Sequence, residues 1–205
     1  MNPDLSAGEG PHLWLVRHGE TEWSRLGRHT GLTDVPLTVL GREQALAVGR
    51  ALAGRSFAAV WSSPLSRALE TARIAGFADR VETTDDLLEW DYGADEGRTT
   101  AEIRTDRPGW TIWTDGPRDG ESATEVEARV DRVIERARRT PGDSLCFAHG
   151  HVLRVLAARW LGLRAADGRL LALSTATISI LGWERETPVV ERWNDPCEEA
   201  PGQPR

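Results

Sequence analysis

Short apolar runs alternate along the chain with longer stretches in which apolar residues return every three or four positions. Leu13 to Val16 predicts a buried strand, Phe57 to Trp61 a second and Leu145 to Ala148 a third. Leu40, Ala45, Val48 and Leu52 recur at helical spacing, which predicts a helix capped by Thr38 and running to about Ala53, where Gly54 ends it. A second helix is expected from Arg67 to about Ala75, a third over Glu121 to Arg139 and a fourth over Val152 to Leu161. In the third, Ala123, Val126, Val130, Val133, Ile134 and Ala137 face inward. Val81 to Leu88 alternates only weakly, and Thr177 to Trp183 and Val189 to Trp193 read as a closing pair of strands.

This order predicts a three-layer α/β/α sandwich with a mainly parallel central sheet. Residues 12–193 form the single domain, between flexible polar ends at 1–11 and 194–205. Residues 93–120 are rich in Gly, Asp, Thr and Trp and carry at most a short helix at Thr100 to Asp106, so they read as a lid or specificity loop.

In open α/β sheets ligands bind beyond the carboxyl ends of the strands. Arg17-His18, Arg67, Glu89 and His149 each follow a strand-like run, so the sheet should gather them at one edge. Burying arginine beside histidine is costly unless an anion meets them, which points to a phosphate or carboxylate. The net charge of -7 makes this a local basic pocket in an acidic protein and argues against nucleic-acid or membrane-surface partners.

All 25 Lys-plus-Arg residues are arginine, which excludes a Walker lysine and a Schiff base. Cys146 and Cys197 suggest neither a disulfide framework nor a zinc cage, and no export signal or membrane-spanning run is visible. A reducing cytoplasm is the expected location.

The LVRHGET segment continues through Trp23, the GRHTG of Gly27 to Gly31, Asp34 and the PLT of Pro36 to Thr38. SSPLSRALETA, LLEWDYGADEG and FAHGHVLR follow in that order. Together these segments resemble the histidine phosphatase superfamily, also called phosphoglycerate mutase-like. The resemblance implies that His18 attacks phosphorus to form a phosphohistidine, that Arg17 and Arg67 clamp the phosphoryl group, and that His149 hydrogen-bonds it. It also implies that Glu89 protonates the leaving group and then activates water. Gly19, Ser24, Thr30, Gly31, Trp90, Tyr92, Gly150 and His151 are the further candidates for binding substrate or phosphate. Ser24 stands where relatives often carry asparagine. The segments look more like the small phosphatase branch than like true mutases, which carry longer insertions.

Phosphoryl transfer needs an in-line nucleophile, cations on the non-bridging oxygens and an acid on the leaving oxygen, and these residues supply all three. Arg17 and Arg67 should keep His18 neutral, and Leu88 and Trp90 should desolvate Glu89. Asp86, Asp91, Asp95 and Glu96 are its rivals for the acid role. The His149-His151 pair is also compatible with a zinc ligand set, although two converging arginines would repel a divalent metal. No metal and no cofactor are therefore expected.

The expected substrate is a small-molecule phosphate monoester, including sugar phosphates and bisphosphates. Phosphoglycerate mutase activity and non-catalytic binding of a phospho-ligand are the alternatives, and a homodimer is left open. Trp90, Trp110 and Trp113 suit either an aromatic pocket wall or the core.

Overall fold

Leu13, Trp14, Leu15 and Val16 are all buried because the strand that carries them, β1 (Leu13–Arg17), is covered on both faces. Alternate residues serve opposite sides: Leu13 and Leu15 pack with Val126, Val130, Val152 and Leu156, whereas Trp14 and Val16 pack with Val48, Leu52, Phe57 and Phe147. The first group brings in α6 (Ala123–Arg139) and α7 (Gly150–Trp160), and the second brings in α2 (Val39–Leu52). The result is the expected three-layer sandwich. The structure, a computed structural model, describes residues 10–197, so the ends at 1–9 and 198–205 lie outside the described residues.

The remaining strands are β2 (Ala59–Ser62), β3 (Val81–Thr83), β4 (Ser144–Ala148), β5 (Thr177–Glu184) and β6 (Thr187–Pro196). They lie in the order β3-β2-β4-β1-β5-β6. The first four are mutually parallel, and β5 and β6 close the sheet antiparallel. β1, β2 and β4 thus deliver Arg17, Ser62 and Ala148 to one edge, and the chain continues from there into His18, Ser63 and His149.

Several boundaries differ from the expectation. β6 pairs through Pro196 against Thr177, and Asn194 N–H donates to Ser179 Oγ, so residues 194–196 belong to the sheet rather than to a tail. Their polar sequence hid this, since edge-strand backbone pairing requires no apolar side chains. β3 is only three residues long, and Asp85–Leu87 forms a short 3-10 turn before Glu89. The loop after β1 contains α1 (Glu22–Arg25), capped reciprocally by Thr21 and Ser24. The regular part of α3 (Ser66–Ala72) ends three residues early, and the chain then turns at Gly76, whose φ is 96°.

The excursion at 93–120 contains α4 (Thr100–Asp106), as expected, and in addition α5 (Ile112–Asp115). It is tied at Asp95, which is fully buried and accepts from Arg107 Nη1 at 2.9 Å and from the Arg118 backbone at 3.1 Å, with Arg98 Nη1 at 3.4 Å. Removing one member of a buried charge network leaves the others uncompensated, at about 3 kcal/mol. Asp95→Ala should therefore lower the melting temperature by roughly 6–12 °C. A shift within 2 °C of wild type would show that Asp95 does not fasten this segment.

Candidate active site

The sheet edge opens into a cavity of about 170 Å³. β1 supplies Arg17 and then His18; the loop around α1 supplies Ser24, Gly27, Arg28, His29 and Thr30; Glu89 and Tyr92 enter from one side; α7 contributes Gly150, His151 and Arg154. Three arginines and one carboxylate share these walls, so the site is locally basic, as expected.

His18 is buried, at 4% exposure. The close approach behind it explains the glycine that follows. A Cβ on Gly19 would collide with the Gly41 carbonyl, and Gly19 N–H donates to Thr71 Oγ1 of α3. His18 Nδ1 lies 2.7 Å from the Gly19 carbonyl oxygen, which can only accept, so Nδ1 carries the proton and Nε2 the lone pair. Burial holds its pKa well below the ordinary histidine range, and Arg67 and Arg17 add to this, against a smaller raising effect of the Gly19 hydrogen bond. The imidazole is neutral, with its lone pair on Nε2.

His149 is N-cap of α7 and fully buried. Arg67 Nε–H donates to its Nδ1 at 3.1 Å, so the His149 proton is on Nε2. That Nε2 is sealed from solvent and has no hydrogen-bond partner among the described residues; Arg17 Nε is in the same condition. The rings of His18 and His149 stand 5.1 Å apart. Two buried donors left without acceptors beside a neutral imidazole make a place for an anion.

Arg67 is fully buried and stands behind His149 rather than on the cavity wall. Besides His149, it donates from Nη1 to Thr33 O and from Nη2 to the carbonyls of Thr30 and Gly31, which leaves a single Nη1–H for a phosphoryl oxygen. Its main work here is to hold His149 and the 30–33 loop. The amide at the start of α3 is taken by Asp34, whose Oδ1 accepts from Ser66 N–H and Oγ at 2.8 Å. Arg17 donates to Leu173 O and lies against Gly150, where a Cβ would sit 3.3 Å from its Cζ.

The carboxylate of Glu89 spans the first turn of α7. Oε1 accepts from Trp90 and Val152 N–H and Oε2 from His151 N–H, each at 2.9 Å. The segment leading to it is held by Arg129, which donates to the carbonyls of Asp86 and Leu88 and pairs with Glu121. The rival acids are engaged elsewhere: Asp86 with Arg132, Asp91 with Gly93 N–H, Asp95 with its arginines, and Glu96 with Gly31 and Thr33 N–H. Of the five, Glu89 is the one that lines the cavity.

Trp90 and Gly31 were expected to touch substrate, and neither lines the cavity. Trp90 is fully buried and its indole N–H donates to Glu121 O; Gly31 is pressed against Glu96 and the Trp90 carbonyl. Trp110 is likewise core, whereas half-buried Trp113 packs on His151 at 5.1 Å with Arg154 over its ring at 4.4 Å. Ser24 and Thr30 do line the cavity, their hydroxyls donating to Thr21 O and Arg28 O.

Five cavity residues escaped sequence reasoning: Gly27, Arg28, His29, Arg154 and Leu173. His29 and Arg28 sit inside the GRHTG segment, so position within a quoted motif was the available signal. Arg154, four residues into α7, follows His151 by less than one helical turn and so shares its side of the helix. Among the described residues no group of three or more His, Cys, Asp or Glu is placed to hold a metal.

Four of the five histidines, His18, His29, His149 and His151, have lowered pKa values, with burial the largest cause in each; His29 falls to about 4. Below the unfolded value near 6.5 the unfolded chain takes up protons that the native site refuses, so stability present at neutral pH is lost as pH falls toward the folded values. Melting temperature should drop steadily from pH 6.5 to pH 5. A flat profile over that interval would show that these imidazoles are charged in the native protein.

A profile of the histidine phosphatase superfamily (branch 1) matches residues 13–196. An acid phosphatase of Mycobacterium tuberculosis is 44% identical over 176 residues, covering 84% of this chain and 86% of the relative. A sedoheptulose 1,7-bisphosphatase of Saccharomyces cerevisiae is 37% identical over 186 residues, covering 75% and 68% respectively. The solved structure of an open reading frame product of M. tuberculosis superposes with a TM-score of 0.87 at 40% identity, covering 92% of this chain and 99% of that one.

Proposed function

Because the chain belongs to the histidine phosphatase superfamily and is a phosphoric monoester hydrolase, we propose that His18 Nε2 is the atom that takes the phosphoryl group from a small phosphate monoester. Attack forms the P–N bond as the P–O ester bond breaks, and Glu89 delivers a proton to the departing alkoxide. Glu89 then removes a proton from water, which attacks phosphorus, breaks the P–N bond and releases inorganic phosphate. The observation that carries this reading is the pair of buried, unpartnered donors, His149 Nε2 and Arg17 Nε, beside an imidazole whose lone pair is fixed on Nε2. No metal is invoked, since the arginines compensate the phosphoryl charge.

The cavity volume of about 170 Å³ fits a phosphoryl group with a small alcohol, and the name of the yeast relative points to sugar bisphosphates. An acidic chain with so enclosed a basic site suits neither nucleic acid nor a membrane surface, and among the described residues no helix is long and apolar enough to cross a membrane. The thiol of Cys146, whose burial pushes its pKa well up, in a chain that pairs no described cysteines, is in keeping with a cytoplasmic setting.

Hydrolysis is favoured over mutase chemistry by the lid. Holding a bisphosphate for a second transfer would need cations there, and all four lid arginines serve the lid itself. Arg98 and Arg118 meet Asp95 and Asp106, Arg107 meets Asp95 and Gly116 O, and Arg104 donates to Trp110 O. Incubation with 3-phosphoglycerate, with and without 2,3-bisphosphoglycerate and in the presence of EDTA, should release inorganic phosphate faster than it isomerises substrate. Isomerisation outpacing phosphate release would make the protein a mutase, and activity abolished by EDTA and restored by zinc or magnesium would overturn the metal-free mechanism.

A further inference from the structure

Two cavity residues are joined through their side chains. The Tyr92 hydroxyl lies 2.6 Å from His151 Nδ1. Tyr92 is 1% exposed, and burial, with Glu89 and Glu96 nearby, pushes its pKa well up, so it keeps its proton. Among the described residues the only acceptor paired with that O–H is His151 Nδ1, and a buried hydroxyl that fails to donate is costly. Tyr92 therefore donates, Nδ1 accepts, and the neutral ring carries its proton on Nε2. The ring is neutral because it is buried beside Arg154, His29 and Arg17, which hold its pKa well below the usual range.

His151 lines the cavity, and its other nitrogen is free to donate. His151 Nε2 has no partner among the described residues, yet it is not sealed from solvent as His149 Nε2 is, and the side chain as a whole is 19% exposed. The ring is held in place by Trp113 at 5.1 Å, tilted 47°, with His29 at 5.9 Å on the cavity side. Its own backbone N–H binds Glu89 Oε2, and Nδ1 stands 4.0 Å from that same oxygen. Glu89 and His151 line the same cavity, so an N–H donor on this ring belongs to the region that the leaving alcohol occupies.

Resting on the phosphatase reading, we propose that His151 is a specificity residue that reads the alcohol half of the substrate through Nε2–H, and that Tyr92 is the positioning residue that fixes this tautomer. A donor there rewards a hydroxyl or ether oxygen next to the ester and gives nothing to a bare aryl group. The substrate class is therefore a polyhydroxylated alcohol phosphate.

The test has two arms. In protein labelled with 15N-histidine, with the His151 signals assigned by their loss in His151→Phe, which keeps a ring but has no donor, the unprotonated ring nitrogen of the wild type should be Nδ1, and Tyr92→Phe should erode that preference. In kinetics, both variants should lower kcat/KM for ribose 5-phosphate about tenfold more than for 4-nitrophenyl phosphate, mainly through KM, the worth of one hydrogen bond. A wild-type His151 protonated on Nδ1, or equal losses on the two substrates, overturns the proposal. The wild-type spectrum decides the tautomer even if a variant folds poorly. A wild type that hydrolyses neither ester while its spectrum shows the expected tautomer would instead count against the phosphatase reading.

Discussion

His18→Ala will lose turnover on the order of a million-fold, the scale on which removal of a nucleophile is felt. Wild-type protein quenched during turnover of a 32P-labelled ester should carry label in an acid-labile, base-stable linkage, and His18→Ala should carry none. The structure adds two details that the sequence did not contain. Nδ1 is committed to the Gly19 carbonyl, so the adduct should be the Nε2 phosphohistidine, distinguishable from the Nδ1 isomer by 31P NMR after denaturation in base. The residue is also buried, so Ala removes a hydrogen bond worth about 1 kcal/mol as well as packing, and a small fall in melting temperature should accompany the loss of activity. Label retained on His18→Ala would mean that another side chain is the nucleophile; His149 is the neighbour to test, its ring 5.1 Å away.

Glu89→Gln should cost roughly two to four orders of magnitude in kcat on an alkyl phosphate, the usual contribution of general acid–base catalysis. The loss should be much smaller on 4-nitrophenyl phosphate, whose leaving group hardly needs a proton. The carboxylate takes three backbone N–H groups, and a glutamine amide must turn its NH2 toward at least one of them. The variant should therefore also lose about 1–3 kcal/mol of stability, because an acceptor has become a donor at the start of α7. Comparing the two substrates on the same folded fraction separates chemistry from structure. Equal loss on both would remove Glu89 from the acid role.

The depressed pKa of His18 predicts the acid side of the rate profile. As pH falls through 6.5 an ordinary imidazole becomes protonated and stops attacking, whereas His18, buried beside Arg67 and Arg17, stays neutral. The site remains armed into mild acid, and its lower limit is set by the stability that the four histidines with lowered pKa values give up there.

The strands and long helices were legible because burial is written directly into local pattern: four apolar residues in a row cannot be left in water, and a stripe at helical spacing must face a core. The proposed catalytic set was legible for a related reason. Arg17, His18, Glu89 and His149 follow strand-like runs, and a mainly parallel sheet brings such points to one edge. Tertiary structure alone decided which neighbours actually reach that edge. Trp90 and Glu89 are adjacent in sequence, yet one turns into the core and the other into the cavity. Arg67 and Arg154 are chemically identical in sequence, yet the first is spent on His149 and three carbonyls and the second lines the wall. The same holds for protons: that Gly19 fixes the tautomer of His18, Arg67 that of His149 and Tyr92 that of His151 depends on distances near 3 Å between groups up to 82 residues apart. Apolar burial depends on composition averaged along a segment, whereas a hydrogen bond depends on where two particular atoms come to rest, and only the folded chain fixes that.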